Sequence, residues 1–64
     1  MAHYRLYCLD GAGTITRAQF VEAENDEDAI MIARSFKEPV KCELWLRDRL
    51  VATIPPTSKK TPIN

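Results

Sequence analysis

Asn25 to Phe36 carries the one clear helical signal in the chain, and pairs of strand-like segments flank it on both sides. This strand–strand–helix–strand–strand order constrains the fold most, because a single helix covers one face of one sheet. Asn25 or Asp26 can accept hydrogen bonds from the free amides at the helix start. Asp26, Glu27 and Asp28 sit where the positive end of the helix dipole favours carboxylates. Ala29, Ile30, Ile32, Ala33 and Phe36 form an apolar stripe at helical spacing. Arg34 and Lys37 fall at the end that favours cations, and Pro39 blocks continuation.

The flanking segments alternate with the period of a strand. From His3 to Leu9, Tyr4, Leu6 and Cys8 point one way, and Arg5, Tyr7 and Leu9 the other. Both sets hold apolar residues, so this strand belongs inside the sheet. Asp10-Gly11-Ala12-Gly13 is a turn signal, since glycine reaches positive φ without a Cβ clash. Ile15 to Ala23 is the second strand of a hairpin. Ile15, Ala18, Phe20 and Val21 keep no single parity, which predicts a bulge near Arg17 and an edge position. Val40 to Leu46 is the third strand, Arg47-Asp48-Arg49 a polar turn, and Leu50 to Ile54 the fourth strand. In the fourth, Leu50, Ala52 and Ile54 alternate against Val51 and Thr53. Pro55 and Pro56 end it.

These elements predict an α+β domain over residues 1–56, with a disordered tail over 57–64. A helical crossover joins strands two and three. Placing strand one between them gives an antiparallel sheet of order 2-1-3-4, with the two most apolar strands central. The helix then covers Tyr4, Leu6, Cys8, Val40, Cys42, Leu44 and Leu46. In this register Leu6 faces Leu44 and Cys8 faces Cys42. The expectation for the cysteines is two buried thiols acting as small hydrophobes. A redox pair is disfavoured, because opposed strand positions rarely offer relaxed disulfide geometry and nothing nearby activates a thiolate.

With 64 residues the chain has room for one domain with a thin core. Nine basic residues balance nine acidic ones, so no global field attracts or repels nucleic acid. Two cysteines and one histidine, widely spaced, make neither a disulfide framework nor a zinc site. Oligomerisation is therefore the expected supplement to the core. The opening residues hold no apolar run of signal-peptide length, and no stretch approaches the ~18 apolar residues of a membrane span. Reduced thiols in a cytoplasmic protein are the default expectation.

The face away from the helix is the candidate interface: Arg5, Tyr7, Lys41, Glu43, Trp45 and Val51, with Thr53 beside them. Aromatic residues on an open sheet favour protein contacts, and a homodimer is the first reading. Another protein partner is the broader form of that reading. The alternative is a single-stranded nucleic-acid platform, with Tyr7 and Trp45 stacking bases and Arg5 and Lys41 meeting phosphates.

Other motifs carry less. Gly11-Ala12-Gly13 joins two strands, so it is a turn and not a phosphate loop. Glu22, Glu24, Asp26, Glu27 and Asp28 lack the spacing of a calcium loop. Of these, Glu24, Asp26, Glu27 and Asp28 form a candidate acidic docking patch. His3 has no sequence-near nucleophile or carboxylate in a catalytic arrangement. About 54 ordered residues leave little room for a ligand cavity of ~300 Å³. No catalytic residue, cofactor or metal is expected. Lys59-Lys60 reads as part of a solubilising tail.

YRLYCLDGAGTI, ENDEDAIMIAR and CELWLRDRLVATI, from Tyr4 to Pro55, resemble a group of short uncharacterised bacterial proteins, chiefly alphaproteobacterial. That resemblance implies the same element order; the group has no assigned activity, so it transfers no catalytic or binding residue. The thin core, the zero net charge and the Tyr7–Trp45 face make a small non-catalytic interaction module the functional expectation.

Overall fold

A computed structural model describes residues 1–56. Its elements are β1 (Ala2–Leu9), β2 (Ile15–Ala23), α1 (Asp26–Ser35), β3 (Cys42–Leu46) and β4 (Arg49–Ile54). The four strands form one antiparallel sheet of order β2-β1-β3-β4, the α+β arrangement expected. The expected tail lies outside the described residues. Among the described residues no helix is long and apolar enough to cross a membrane.

The first hairpin is closed by Asp10. Its backbone N–H donates to the Thr14 carbonyl at 2.9 Å, and its carboxylate accepts from the N–H groups of Ala12 and Thr14 at 2.9 and 3.0 Å. Gly13 sits at φ +84°, a conformation that suits a residue without Cβ. The β1–β2 register pairs Cys8 with Arg17 and then Leu9 with Ile15. Thr16 is thus the extra residue of a bulge, and its hydroxyl donates to the Cys8 carbonyl at 3.2 Å. The break in parity anticipated near Arg17 is this bulge. Beyond it Val21 and Ala23 turn to the helix side, while Phe20 pairs with Arg5 on the opposite face.

The second hairpin holds two departures from the simple alternation. Arg47 occupies the left-handed region at φ 58°, in a turn of Arg47 and Asp48. In the β3–β4 register, Leu44 pairs with Ala52 but Trp45 pairs with Leu50. Val51 is therefore the extra residue of a second bulge, which moves Leu50 off the helix side and onto the face of Trp45. β3 also begins at Cys42, later than the expected Val40, because the chain bends through Pro39 and Val40.

β1 and β3 meet in the expected register, Leu6 opposite Leu44 and Cys8 opposite Cys42. The Leu9 N–H donates to the Lys41 carbonyl at 2.9 Å, which makes the neighbouring Cys8–Cys42 position a non-hydrogen-bonded pair. Side chains approach closest at such a pair. Cys8 and Cys42 are joined there as a disulfide, and neither is a free thiol. The expectation of two separate buried thiols is corrected on this point: the narrow pair type brings the sulfurs together despite the general rarity of opposed-position disulfides.

The helix starts where expected. The Asn25 side chain accepts from the Asp28 N–H at 2.9 Å, and Lys37, at φ 53°, donates its N–H to the Arg34 carbonyl at 3.1 Å. The helical stripe is narrower than its sequence suggests. Ala29 and Ala33 are buried and Ile30 packs beside the core, whereas Ile32 and Phe36 are each 37% exposed. Small residues at the contact let the helix backbone approach the sheet, which leaves the bulkier ones on its flanks. The core comprises those alanines with Tyr4, Leu6, Cys8, Val21, Ala23, Cys42, Leu44 and Ile54.

Candidate interaction face

Strand register builds the open face row by row. Phe20, Arg5, Trp45 and Leu50 are successive cross-strand partners, so one row spans β2, β1, β3 and β4. Ala18, Tyr7, Glu43 and Thr53 form the row beside it. Phe20 is 74% exposed and Leu50 46%. The Arg5 guanidinium carbon lies 5.8 Å from the Phe20 ring centroid, within cation–π range. Arg5 also donates to the Tyr7 hydroxyl at 3.4 Å, and the Trp45 indole N–H donates to Glu43 at 3.1 Å.

Arg5, Tyr7, Glu43 and Trp45 thus come together in two adjacent rows. Lys41 is exposed just ahead of β3, at the opposite end of the β1–β3 ladder from Arg5. Val51 is half-buried and packs against the core, so its place as a free interface residue is corrected: the bulge that exposes Leu50 turns Val51 inward. Phe20 and Leu50 are the two apolar residues that sequence reasoning left out. For Phe20 the signal was the broken alternation in β2, which shifts side chains between faces; for Leu50 there was none, since β4 alternates regularly in sequence and its bulge shows only in the register.

The residues of the acidic cluster differ in their surroundings. Glu24 and Glu27 are exposed. Asp26 instead accepts a hydrogen bond from the buried Tyr4 hydroxyl at 2.8 Å and meets both terminal nitrogens of Arg49 at 3.3 and 3.4 Å. The Tyr4 hydrogen bond, reinforced by Arg49, holds the Asp26 carboxyl below its ordinary range. Burial, with the same hydrogen bond and the Asp26 charge, pushes the Tyr4 hydroxyl above its ordinary range. Asp26 is therefore a tie between helix start, β1 and β4, which removes it from the proposed docking set.

A cleft of about 690 Å³ opens at one end of the sheet, larger than the ordered length suggested. Its physical cause is the β1–β3 ladder, which ends at Arg5 and Trp45. The next positions, Tyr4 with Leu46 and then His3 with Arg47, do not pair, and the two central strands part. His3, Arg5, Phe20, Glu22, Leu46 and Arg47 are among the lining residues. His3 Nδ1 lies 3.4 Å from Glu22. Among the described residues no three His, Cys, Asp or Glu side chains converge on a metal-sized point.

No family model, curated protein or solved structure matches the chain.

Proposed function

We propose that the chain is a small non-catalytic interaction module that pairs with a second copy of itself through the open sheet face. The observation that carries this reading is the row Phe20–Arg5–Trp45–Leu50, which places two exposed apolar side chains and an indole across the full sheet width. Contiguous apolar surface of this kind marks contact sites, and aromatic and Arg residues are favoured within them. Charge supports a self-complementary pairing. The face holds Arg5 alongside Glu22 and Glu43, so a two-fold arrangement can set the cation of one copy against carboxylates of the other.

Nucleic-acid binding through Tyr7 and Trp45 with Arg5 and Lys41 ranks second. Glu43 stands beside Tyr7 and accepts the indole N–H, so a carboxylate occupies the centre of the surface a phosphate backbone would cross. The cytoplasmic expectation rested on the lack of a signal-peptide run and of a membrane-span-length stretch; the reduced thiols expected with it are not seen, since Cys8 and Cys42 are joined. The likeness to short bacterial proteins of the same element order adds no chemistry to this reading.

Multi-angle light scattering across a concentration series tests self-association. A dimer mass is expected for the parent chain, shifting to monomer for Phe20→Lys and Leu50→Lys. A parent that stays monomeric at high micromolar concentration, with Trp45 fully quenched by iodide, contradicts the reading.

A further inference from the structure

We infer that the cleft between the parted ends of β1 and β3 binds a small organic carboxylate with an apolar body, and that Arg47 is its principal anchor. The cleft is a different feature from the apolar row, although Arg5 and Phe20 contribute to both.

Three observations converge on an anion. Two guanidinium groups, Arg5 and Arg47, line the cleft against a single carboxylate, Glu22, which already faces the His3 imidazole. The Arg47 side chain has no hydrogen-bond or ion-pair partner among the described residues, unlike Arg5, Arg17 and Arg49. Arg47 also sits in the left-handed region, at a turn position where glycine or asparagine would be the relaxed choice. An unpartnered cation held at a locally unfavourable backbone angle beside a cleft points to a role other than folding.

The body of the ligand follows from the rest of the lining. Phe20 and Leu46 provide apolar surface on opposite sides, one from β2 and one from β3. The cleft volume, about 690 Å³, falls within the ~300–1,000 Å³ range of small-molecule sites. A guanidinium recognises a carboxylate through two parallel N–H donors, and the apolar walls favour an aryl or alkyl group over a bare inorganic anion. A small carboxylate with a ring or short chain satisfies both requirements. A nucleotide backbone fits less well, because Glu22 and Glu43 border the route out of the cleft along the sheet.

Titration of ¹⁵N-labelled protein at low salt tests this with phenylacetate, benzylammonium and acetate as probes. Phenylacetate is expected to shift the amides of His3, Phe20 and Arg47 saturably, with a Kd on the order of 1 mM for a ligand of this size. Benzylammonium, with the same ring and opposite charge, is expected to give no saturable shift. Acetate, with the charge and no ring, is expected to bind at least roughly tenfold more weakly. Arg47→Gly relaxes the turn, so the variant folds, and it is expected to weaken phenylacetate by roughly tenfold or more.

Leu50→Lys changes the self-association row without lining the cleft, and phenylacetate binding is expected to persist in it. Failure of dimerisation thus leaves the carboxylate site standing, and failure of the site leaves dimerisation standing. The inference is overturned if phenylacetate gives no saturable shift, if benzylammonium matches it, if Arg47→Gly binds like the parent, or if binding vanishes in Leu50→Lys.

Discussion

Tyr4 shows how much one side chain can settle in a domain this small. Its ring is buried in the core, and its hydroxyl emerges at the helix start, where Asp26 accepts its hydrogen bond and Arg49 meets the same carboxylate. The two groups move in opposite directions, Asp26 downward and Tyr4 upward. For Asp26, the unfolded chain takes up a proton first as pH falls, so its stabilisation is present above ~4 and is lost below that value. For Tyr4, the unfolded chain loses its proton first as pH rises, so stability declines above ~10. Tyr4→Phe is expected to lower Tm at neutral pH, to flatten the alkaline decline and to reduce the acid decline. Thermal unfolding of both proteins between pH 2 and 11, a range spanning both ordinary pKa values by about one unit or more, measures this. Identical pH profiles would show that the hydrogen bond does not couple the two groups. In the sequence Tyr4 was readable as core from its parity with Leu6 and Cys8. Its tie to Asp26 was not, because it joins residues 22 positions apart through geometry set by the whole fold.

At the level of elements, the strand order and the central register were legible because alternation and one well-capped helix left few arrangements. The facing of Cys8 and Cys42 followed from that register. Their covalent pairing did not, since it depends on which antiparallel pair type they occupy. The two bulges were harder still. An extra residue at Thr16 or Val51 reverses every assignment beyond it, so Leu50 was placed on the helix side and Phe20 was not placed on the open face. The cleft was invisible for a related reason: periodicity shows where strands are, but not where two neighbours part. The disulfide closes a long stretch of chain, with a sequence separation of 34 residues. By loop-closure entropy alone, that cross-link stabilises the fold by about 3–4 kcal/mol. Urea unfolding with and without a thiol reductant is expected to show a loss of this order. A reduced protein of unchanged midpoint would mean that core packing, and not the covalent link, holds β1 to β3.

For the molecule as a whole, the sheet divides into two hairpins, β1–β2 and β3–β4, joined edge to edge along one short seam. Each hairpin pairs residues close in sequence, across the Gly11–Gly13 loop or the Arg47–Asp48 turn. The seam pairs Arg5 with Trp45 and Leu6 with Leu44, contacts that only a long chain excursion can make. The helix lies within that excursion and packs on β2, β3 and β4, so it belongs to both halves. This division has a consequence in time. The hairpins can form locally and early, while the seam must wait for the distant halves to meet, so closing it sets the pace of folding. Leu44→Ala, measured with the cysteines reduced, is then expected to slow folding more than it speeds unfolding. Ala52→Gly, its hairpin partner, is expected to act chiefly on unfolding. Stopped-flow kinetics on the two variants would separate them, and equal folding rates would place the seam after the barrier. If the seam is the barrier, the two strand edges that it joins keep their backbone N–H and C=O groups unpaired, open to solvent and to other chains, until the last step.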